Sequence, residues 1–457
     1  MKLIYDIGDR PALKKTIVFA FQQMIAIMAA TLLVPILMTG FDQTGTLKLD
    51  PAAALCGAGI GTLVYLLFTG FKSPVFLGSS FAFLPSMFAA FGGAVSVQAG
   101  YMGLLIGAGF AALVYVILAI VVKLVGTAWI DKVMPAVVIG PTVAIIGLCL
   151  AGNAVTDAVG GIAIIDNVRT MDLHGLLCLI VALVTLAVVM LCSVYGKKML
   201  KLIPFVIGIL AGYICAAILT VIGSAAGIEA MKIVDFSGFQ NIAWIPDFTF
   251  LTAFKGISEI GGTYIGTILV AYAPVAFVVF AEHLADHKNL SSIIEKDLLK
   301  EPGLHRTLLG DGIGSFAGAI FGGCPNTTYG ESIGCVAISG NASVVTILYA
   351  AIMAMVISFF GPFATFLASI PSCVMGGVCI ALYGFIAVSG LKMIQKVDLN
   401  DNRNLFVVSV VLIAGVGGLV LKFGAVTLTD VACALILGIL TNWMLGGKKK
   451  EKKAEDK

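Results

Sequence analysis

Acidic residues stand inside or directly after long apolar runs of this chain, where ionisable groups are rare. Glu282 follows the apolar run 267–281, and Asp286 comes one helical turn later. Asp311 lies in a second apolar segment, and Glu331 closes the sequence PNTTYGE. A charge at the centre of a bilayer costs about 3 kcal/mol or more, so acids in such positions usually face a cavity and carry function. We therefore predict that Glu282 and Glu331 belong to a functional site.

The pair Glu282 and Asp286 has the i, i+4 spacing that puts two side chains on one face of a helix. Two close carboxylates disfavour double ionisation, so one of them can hold a proton, as a proton-coupled transporter requires. Alternatives stay open for two of the acids. Asp286 could simply mark the cytoplasmic end of a helix, and Asp311 could only tie helices together.

Histidine and cysteine do not show the spacing of a metal site. His283 and His287 are four positions apart but lack a third ligand, whereas zinc sites use three or four. The ten cysteines stand singly, mostly in apolar segments, and form no CxxC pair. His283 is therefore expected to pack between helices, and no nucleophile with a neighbouring base is evident. We expect no metal, no cofactor and no enzymatic activity.

Two segments rich in Gly, Pro, Ser and Thr interrupt the apolar runs. Residues 74–81 read PVFLGSSF, and residues 325–331 read PNTTYGE. Non-helical backbone at membrane depth persists only where protein or a water-filled cavity satisfies its polar groups. A helix that follows such a segment presents free N–H groups to a ligand. We predict two short extended segments that cross near the bilayer midplane, the second leading into a helix that starts near Gly330.

The composition is that of a membrane protein. Of 457 residues, 60% are hydrophobic and 12% are charged, whereas soluble domains have about 45–50% and about 25%. Residues 73–122 and 332–391 contain no Asp, Glu, Lys or Arg. Since about 20 apolar residues cross a bilayer, the predicted fold class is an all-α polytopic membrane protein. The small net charge of +3 comes largely from the lysine-rich tail, which suits a cytoplasmic anchor rather than a nucleic-acid site.

The apolar runs predict fourteen transmembrane spans, of which the third and tenth are short and broken. The predicted spans are 16–39, 51–70, 74–91, 98–122, 133–152, 174–194, 202–224, 263–285, 304–322, 326–340, 342–361, 364–390, 404–422 and 427–446. Lys and Arg concentrate in alternate connections and at both ends of the chain. Because basic residues mark the cytoplasmic side, both termini are expected in the cytoplasm.

The longest polar break divides the predicted spans into two halves of seven, which predicts an inverted repeat. We expect a first repeat at 1–226, an extracellular connection at 227–262, a second repeat at 263–446 and a basic cytoplasmic tail at 447–457. Two features recur in order: a PxxxxG motif within an apolar run, beginning at Pro135 in span five and at Pro371 in span twelve, and the broken spans three and ten. Gly and Pro are also common in membrane helices in general.

The chain resembles the nucleobase–ascorbate transporter family, and within it the bacterial uracil permeases, in AEH at 281–283, GSSFAF at 78–83 and PNTTYGESIG at 325–334. The likeness extends over nearly the whole chain. It implies a core domain of spans one to four and eight to eleven, and a gate domain of spans five to seven and twelve to fourteen. It further implies proton-coupled uracil import across the cell membrane by alternating access, with a homodimer as a family expectation.

The same resemblance implies a role for each candidate residue. The substrate-binding residues are then Glu282, Glu331, Phe81, Gly330, Tyr383 and Ser80, and the proton-coupling residues are Glu282, Asp286 and Asp311. Phe81 would pack on the uracil ring, and Tyr383 would face it from the gate domain. Uracil offers two N–H donors and two carbonyl acceptors, which suit carboxylates and the backbone N–H groups near Phe81 and Gly330. A proton bound at Glu282 would change this pattern and so couple to substrate affinity.

The chain departs from the family pattern at several positions. Asp286 stands where the family usually has His, Gln23 where the Gln-His of span one has His, and Ser332 where the motif after Glu331 has Asn. Asp311 resembles the xanthine branch, whereas Glu331 favours uracil, since xanthine carriers tend to have Gln there. The alternative function is a xanthine or purine-base permease of the same family. An anion exchanger of the same architecture is less favoured, because it predicts a cationic residue at the site.

Overall fold

The computed structural model describes residues 3–41, 46–127, 129–130, 135–162, 168–197, 199–423 and 426–446. The basic tail predicted at 447–457 lies outside these residues. The described chain is mostly helical. Its α-helices are α1 Leu13–Phe41, α2 Pro51–Phe68, α3 Leu84–Gly92, α4 Val97–Val125, α5 Ala136–Cys149, α6 Ala151–Ala158, α7 Leu173–Tyr195, α8 Met199–Leu202, α9 Pro204–Ala226, α10 Thr249–Ala253, α11 Gly262–Ile294, α12 Leu304–Gly322, α13 Gly330–Ser339, α14 Val344–Ser358, α15 Gly361–Ala368, α16 Ser372–Ile394, α17 Asn402–Val416 and α18 Asp430–Leu445.

Polar residues cap several of these helices. Asp50 accepts a hydrogen bond from the N–H of Ala52 at 2.8 Å at the start of α2. Asp172 does the same for Gly175 at 2.7 Å at the start of α7. Such bonds satisfy N–H groups that the first helical turn leaves without partners. These short polar caps let long apolar helices begin at defined positions.

Long apolar helices dominate the described part of the chain. Eight of its helical segments, one of them α5 together with α6, are long and apolar enough to cross a membrane, or nine if the bent pair α14 and α15 forms one span. The helices α7 and α9 expose apolar side chains, including Leu183 at 52% and Ile218 at 54%. An apolar outer surface of this kind suits a lipid environment and not water. The prediction of a mostly helical, multi-pass membrane protein is thus confirmed, whereas the fourteen spans stay a prediction.

The predicted span 364–390 is wrong at its start. Helix α15 ends at Ala368, and α16 begins at Ser372. Pro371 occupies the N-cap position of α16 with extended backbone. Because proline disfavours helix in the residue before it, helix does not continue through Ile370 into α16. Helix α15 is instead bent by 80° from α14.

The predicted span 404–422 also ends too late. Helix α17 stops at Val416, where Gly417 and Gly418 follow and Gly418 has a φ of +67°. Two antiparallel strands come next, β3 at Leu421–Phe423 and β4 at Val426–Leu428. The apolar residues after Val416 therefore lie outside the helix, and strand β3 begins at Leu421.

The two PxxxxG motifs were predicted within apolar runs, and the structure places each of them at the start of a helix. Pro135 and Pro371 are the N-cap residues of α5 and α16, and both have extended backbone. The two helices pack closely, since a Cβ atom added to Gly390 of α16 would lie 2.3 Å from the backbone nitrogen of Ala144 of α5. The matching proline caps thus begin two helices that are in direct contact.

Two short buried strands lie at the centre of the fold. Strand β1 at Leu77–Ser79 pairs antiparallel with β2 at Asn326–Thr328, with Gly78 opposite Thr327. The two extended segments predicted from sequence are therefore confirmed, and they pair side by side. Strand β1 leads through a 3-10 turn into α3, and β2 leads into α13, which begins at Gly330 as predicted.

Helix α11 continues well past the predicted end of span eight. It runs to Ile294 and ends at Glu295, whose φ is +56°. Asp286 is therefore in the helix interior, and the alternative that it marks a helix end is wrong. The charged residues from 288 to 306 indicate a solvated loop by their types, whereas residues 288–294 are helical. The reason lies in packing, because His287 is buried and its Nε2 is 2.8 Å from the hydroxyl of Tyr65.

Candidate functional site

A cavity of about 490 Å³ lies between helices α1, α11 and α13 on one side and α5, α9 and α16 on the other. Glu282 and Asp286 line it from α11, and Glu331 lines it from the start of α13. Lys201 is the one basic residue among the described residues that line it. The structure therefore brings three of the four predicted acids into one cavity.

A smaller cavity of about 90 Å³ adjoins the first and shares Glu282, Gly330 and Glu331 with it. Ser80 and Phe81 line this smaller cavity from the segment that follows β1. The carboxylates of two helices thus face the region where both strands end. This region has acceptors from the two glutamates and backbone N–H groups from the strand and helix termini.

Glu331 is placed by the transition from β2 to α13. Tyr329 forms the N-cap of α13 with extended backbone, so Glu331 is in the first helical turn. The first N–H groups of a helix lack partners within it and carry the positive end of the helix dipole. A Cβ atom added to Gly330 would meet nothing within 4 Å. The helix start is thus accessible to a ligand beside a carboxylate.

Ser332 connects the start of α13 to neighbouring segments through hydrogen bonds. Its hydroxyl accepts a hydrogen bond from the N–H of Phe76 at 3.1 Å. The Gln23 side chain of α1 donates to the Ser332 carbonyl at 3.2 Å and also contacts the Ser332 hydroxyl. This glutamine therefore forms hydrogen bonds between α1 and α13. Sequence reasoning did not assign Ser332 a role, although it lies in the recognised PNTTYGESIG motif.

Asp286 is linked to the end of β2. Its carboxylate accepts a hydrogen bond from the Thr328 hydroxyl at 2.8 Å. Thr328 is buried and Asp286 is half-buried at the cavity lining. The spacing of Glu282 and Asp286 on one helical face agrees with their common lining of the larger cavity. Thr328 was not singled out from the sequence, because a threonine in a strand is ordinary by type alone.

Phe81 and Tyr383 meet edge to face. Their ring centroids are 6.2 Å apart at an interplanar angle of 77°, and both residues are buried. Tyr383 is not among the residues that line the two acidic cavities. It therefore reaches the region of the site through Phe81, on the side of α16.

Asp311 is separate from both cavities. Its Oδ2 lies 2.8 Å from Nδ1 of His283, and the other ring nitrogen of His283 lies 3.0 Å from the Thr307 hydroxyl. All three residues are buried. His283 packs between α11 and α12 as expected, and Asp311 is its partner. Within the described residues no group of three or more His, Cys, Asp or Glu side chains has the arrangement of a metal site.

Solved structures with a similar fold are transporters. The chain matches the transmembrane domain of the cyanobacterial bicarbonate transporter BicA with a TM-score of 0.63 and 14% identity, covering 94% of this chain and 97% of the other. It matches the murine anion transporter Slc26a9 in the inward-facing state with a TM-score of 0.65 and 11% identity, covering 96% of this chain and 69% of the other. At such low identity these matches show a common fold.

Closer relatives are found by sequence. The chain is 38% identical to a uracil permease of Bacillus caldolyticus over 98% of its own length and 96% of the relative. It is 36% identical to a uracil permease of Bacillus subtilis (strain 168), covering 98% and 97%, and 37% identical to one of Escherichia coli (strain K12), covering 95% and 92%. These relatives are permeases and not enzymes. A family model described as the permease family, for xanthine and uracil permeases, matches residues 14–422, and the chain therefore belongs to the nucleobase–ascorbate transporter family.

Proposed function

We propose that this protein is a uracil importer of the cell membrane that couples uracil entry to proton entry. The observation that carries the proposal is the convergence of Glu282 and Glu331 from two helices on one cavity, beside the N-terminal end of α13. Relatives named uracil permeases at 36–38% identity over nearly the full length support uracil as the substrate.

The two glutamates and the helix start complement the hydrogen-bonding groups of uracil. Carboxylates accept from the two ring N–H groups, and backbone N–H groups near Phe81 and Gly330 donate to the two carbonyls. Phe81 offers an aromatic surface for the ring. Gly330 leaves room for close approach, because no atom lies within 4 Å of its missing Cβ. The larger cavity, about 490 Å³, has the size of ordinary small-molecule sites.

Proton coupling is assigned to Glu282, Asp286 and Asp311. A proton on Glu282 turns an acceptor into a donor at the substrate position, so proton and uracil binding affect each other. Asp286 is one turn away in the same cavity. Asp311 is buried next to His283, and it affects proton coupling through the packing of α12 against α11.

Transport is proposed to occur by alternating access between two inverted repeats, 1–226 and 263–446, with fourteen spans and 227–262 outside the cell. The antiparallel pairing of β1 with β2 and the matching proline caps of α5 and α16 support the repeat. The cavity separates helices of the proposed core domain from those of the gate domain. Lys201 in its lining belongs to a basic connection, so this cavity opens towards the cytoplasm. Both termini are placed on that side, and a homodimer is the expected assembly.

Two alternatives are less well supported. A xanthine or purine-base permease would share the family and the fold, and Asp311 is the residue that resembles that branch. An anion exchanger would share the fold of BicA and Slc26a9. Three carboxylates and one lysine line the cavity, and this balance of charge disfavours an anionic substrate.

The test is uptake of labelled uracil in cells that lack their own uracil permease. We expect uptake that a protonophore abolishes and that excess unlabelled xanthine does not reduce. Strong competition by xanthine would move the protein to the purine branch. Uracil uptake that is insensitive to the protonophore would refute proton coupling and leave the substrate assignment intact.

A further inference from the structure

The N-terminal segment, residues 3–10, lies along the loop that joins α13 to α14. Tyr5 forms a parallel β-bridge with Asn341. The backbone N–H groups of Ile4 and Tyr5 both donate to the carbonyl of Gly340, at 2.7 and 3.2 Å. Gly340 is the left-handed C-cap residue of α13, with a φ of +66°. The segment thus contacts the residue at which α13 ends.

Further hydrogen bonds extend this pairing along the loop. They join the N–H of Ala342 to the Tyr5 carbonyl at 2.9 Å, the N–H of Val344 to the Ile7 carbonyl at 3.2 Å, and the hydroxyl of Ser343 to the Asp9 carbonyl at 2.6 Å. Backbone pairing of this kind depends little on the side chains involved. The attachment is therefore continuous from the end of α13 to the start of α14.

The same segment is attached to the far end of α11. Asp6 accepts a hydrogen bond from the ammonium group of Lys296 at 2.5 Å, and Lys296 follows Glu295, the C-cap of α11. This hydrogen bond lowers the pKa of Asp6 below its ordinary value of 3.8. A lowered carboxyl pKa means that the ion pair is present at neutral pH and is lost only as the pH falls below about 4.

A third attachment joins the segment to α1. The ammonium group of Lys15 donates to the Tyr5 hydroxyl at 3.2 Å. The rings of Tyr5 and Phe19 pack edge to face with centroids 6.2 Å apart. Helices α1, α11 and α13 all line the acidic cavity, so one short segment connects three of its walls.

We propose that residues 3–10 position the two glutamates of the substrate site by tying the end of α13 to the end of α11. This inference rests on the proposed function. Glu331 is nine residues from Gly340, so about 14 Å of helix separates the carboxylate from its attachment. Tilting such a helix by about 10° at its attached end would move its other end by about 2.5 Å. Binding sites need their groups held to about 0.5 Å, so a loose end would misplace Glu331 relative to Glu282.

The test is the uracil dissociation constant of the purified full-length transporter, with two matched pairs of variants. Ile4→Pro removes one N–H donor to Gly340, whereas Ile4→Ala keeps it. Lys296→Gln removes the partner of Asp6. Lys300→Gln removes an equally charged lysine that is 87% exposed and pairs only locally, with Asp297.

We expect Ile4→Pro to weaken uracil binding about three- to tenfold and Lys296→Gln about twofold, from the usual energies of one hydrogen bond and one exposed ion pair. Ile4→Ala and Lys300→Gln should bind like the wild type. Because salt screens the ion pair of Lys296, added salt should weaken uracil binding by the wild type towards the dissociation constant of Lys296→Gln. Salt should not change the dissociation constant of Lys296→Gln itself. A segment that only stabilised the fold would lower the melting temperature without this salt dependence.

Hydrogen exchange in residues 330–339 gives a readout that does not need uracil. We expect faster exchange there in Ile4→Pro than in Ile4→Ala. Wild-type protein that fails to bind uracil would refute the proposed function, and the exchange comparison would still decide the role of the segment. If the wild type binds uracil, unchanged exchange together with unchanged uracil affinity in Ile4→Pro would overturn the inference. If the wild type does not bind uracil, unchanged exchange alone would overturn it.

Discussion

Glu282 and Glu331 are distant in sequence, yet they line the same two cavities from two helices. A different local feature places each of the two glutamates. Glu282 is on the face of α11 that also carries Asp286, and Glu331 is in the first turn of a helix that follows a strand. Acids enclosed by apolar helices are costly unless they have a partner, a ligand or water in a cavity. In the proposed function, a substrate with N–H donors is that partner.

We expect Glu282→Gln and Glu331→Gln each to abolish uracil uptake while the protein still reaches the membrane. Glutamine keeps the shape but presents an N–H donor where a uracil N–H needs an acceptor. The loss of one hydrogen bond to a charged group corresponds to a roughly 10- to 100-fold loss of uracil affinity or more. Glu229→Gln is the control, because Glu229 is exposed and pairs with Lys232 three residues on. Uptake at wild-type rates in both site variants would remove these residues from the site.

Asp311 allows a coupling role to be separated from a packing role. Asp311→Asn keeps an acceptor for Nδ1 of His283 but removes the charge, whereas Asp311→Ala removes the partner altogether. We expect Asn at this position to preserve uracil exchange across the membrane but to lose protonophore-sensitive accumulation. Ala should in addition destabilise the protein, since an unsatisfied buried donor costs about 1–3 kcal/mol. Accumulation by Asp311→Asn at the wild-type level would assign Asp311 to packing alone.

Among the secondary-structure elements, strand β1 has little tolerance for added volume at Gly78. A Cβ atom on Gly78 would lie 2.5 Å from the ring of Tyr329 and 2.6 Å from the hydroxyl of Thr31. The Tyr329 hydroxyl donates to the Ser79 carbonyl at 2.6 Å, so the ring has little freedom to move away. Glycine at position 78 is thus required by the close approach of another side chain.

Gly78→Ala is expected to destabilise the protein by about 1–3 kcal/mol, the usual cost of overpacking, and to reduce uracil uptake. Gly92→Ala, at the end of the helix that follows β1, is the control, because nothing lies within 4 Å of its missing Cβ. The measurements are the melting temperature and the uptake rate of each variant. Equal melting temperatures for the two variants would contradict the packing seen around Gly78.

The sequence predicted elements well where local chemistry decides them and poorly where packing does. The extended segments and the start of α13 at Gly330 follow from proline, glycine and β-branched residues, and the structure confirms them. The end of α11 could not be predicted, because the residues after Asp286 are mostly polar and only the fold shows that His287 is buried against Tyr65 of α2. The break before α16 lay within a continuous apolar run, and only the position of Pro371 indicated it.

The same distinction applies to the candidate site. The acids were evident from the sequence because charge in an apolar run is rare. Their supporting residues were not, since Thr328 and Ser332 are common residue types whose role depends on which neighbours they meet. Lys201 is a basic residue of the connection between the sixth and seventh predicted spans, and only the fold shows that it lines the cavity. Contacts that support the candidate site in this way are fixed by tertiary structure and not by residue type.

At the scale of the whole molecule, the proposed inverted repeat fixes which connections lie on the same side of the membrane. Lys201 and both termini should face the cytoplasm, and the connection 227–262 should face outward. The connection before α11 is described as short 3-10 turns and a five-residue helix with exposed residues, among them Asn241. Lys201 is exposed as well, at the lining of the acidic cavity. These two positions therefore report on opposite sides if the repeat is correct.

Single cysteines at these positions in a cysteine-depleted background test the arrangement. We expect Asn241→Cys to react with a membrane-impermeant maleimide in intact cells, because its connection is outside. Lys201→Cys should react only after the cells are permeabilised. Six predicted spans precede position 201 and return the chain to the cytoplasmic side, whereas seven precede the connection 227–262 and place it outside. The pattern decides whether the number of spans before position 201 is even or odd, because one span more or fewer would expose Lys201→Cys to the outer reagent. Reaction of both variants in intact cells would thus be incompatible with two seven-span repeats and would require a different count of spans before the central connection.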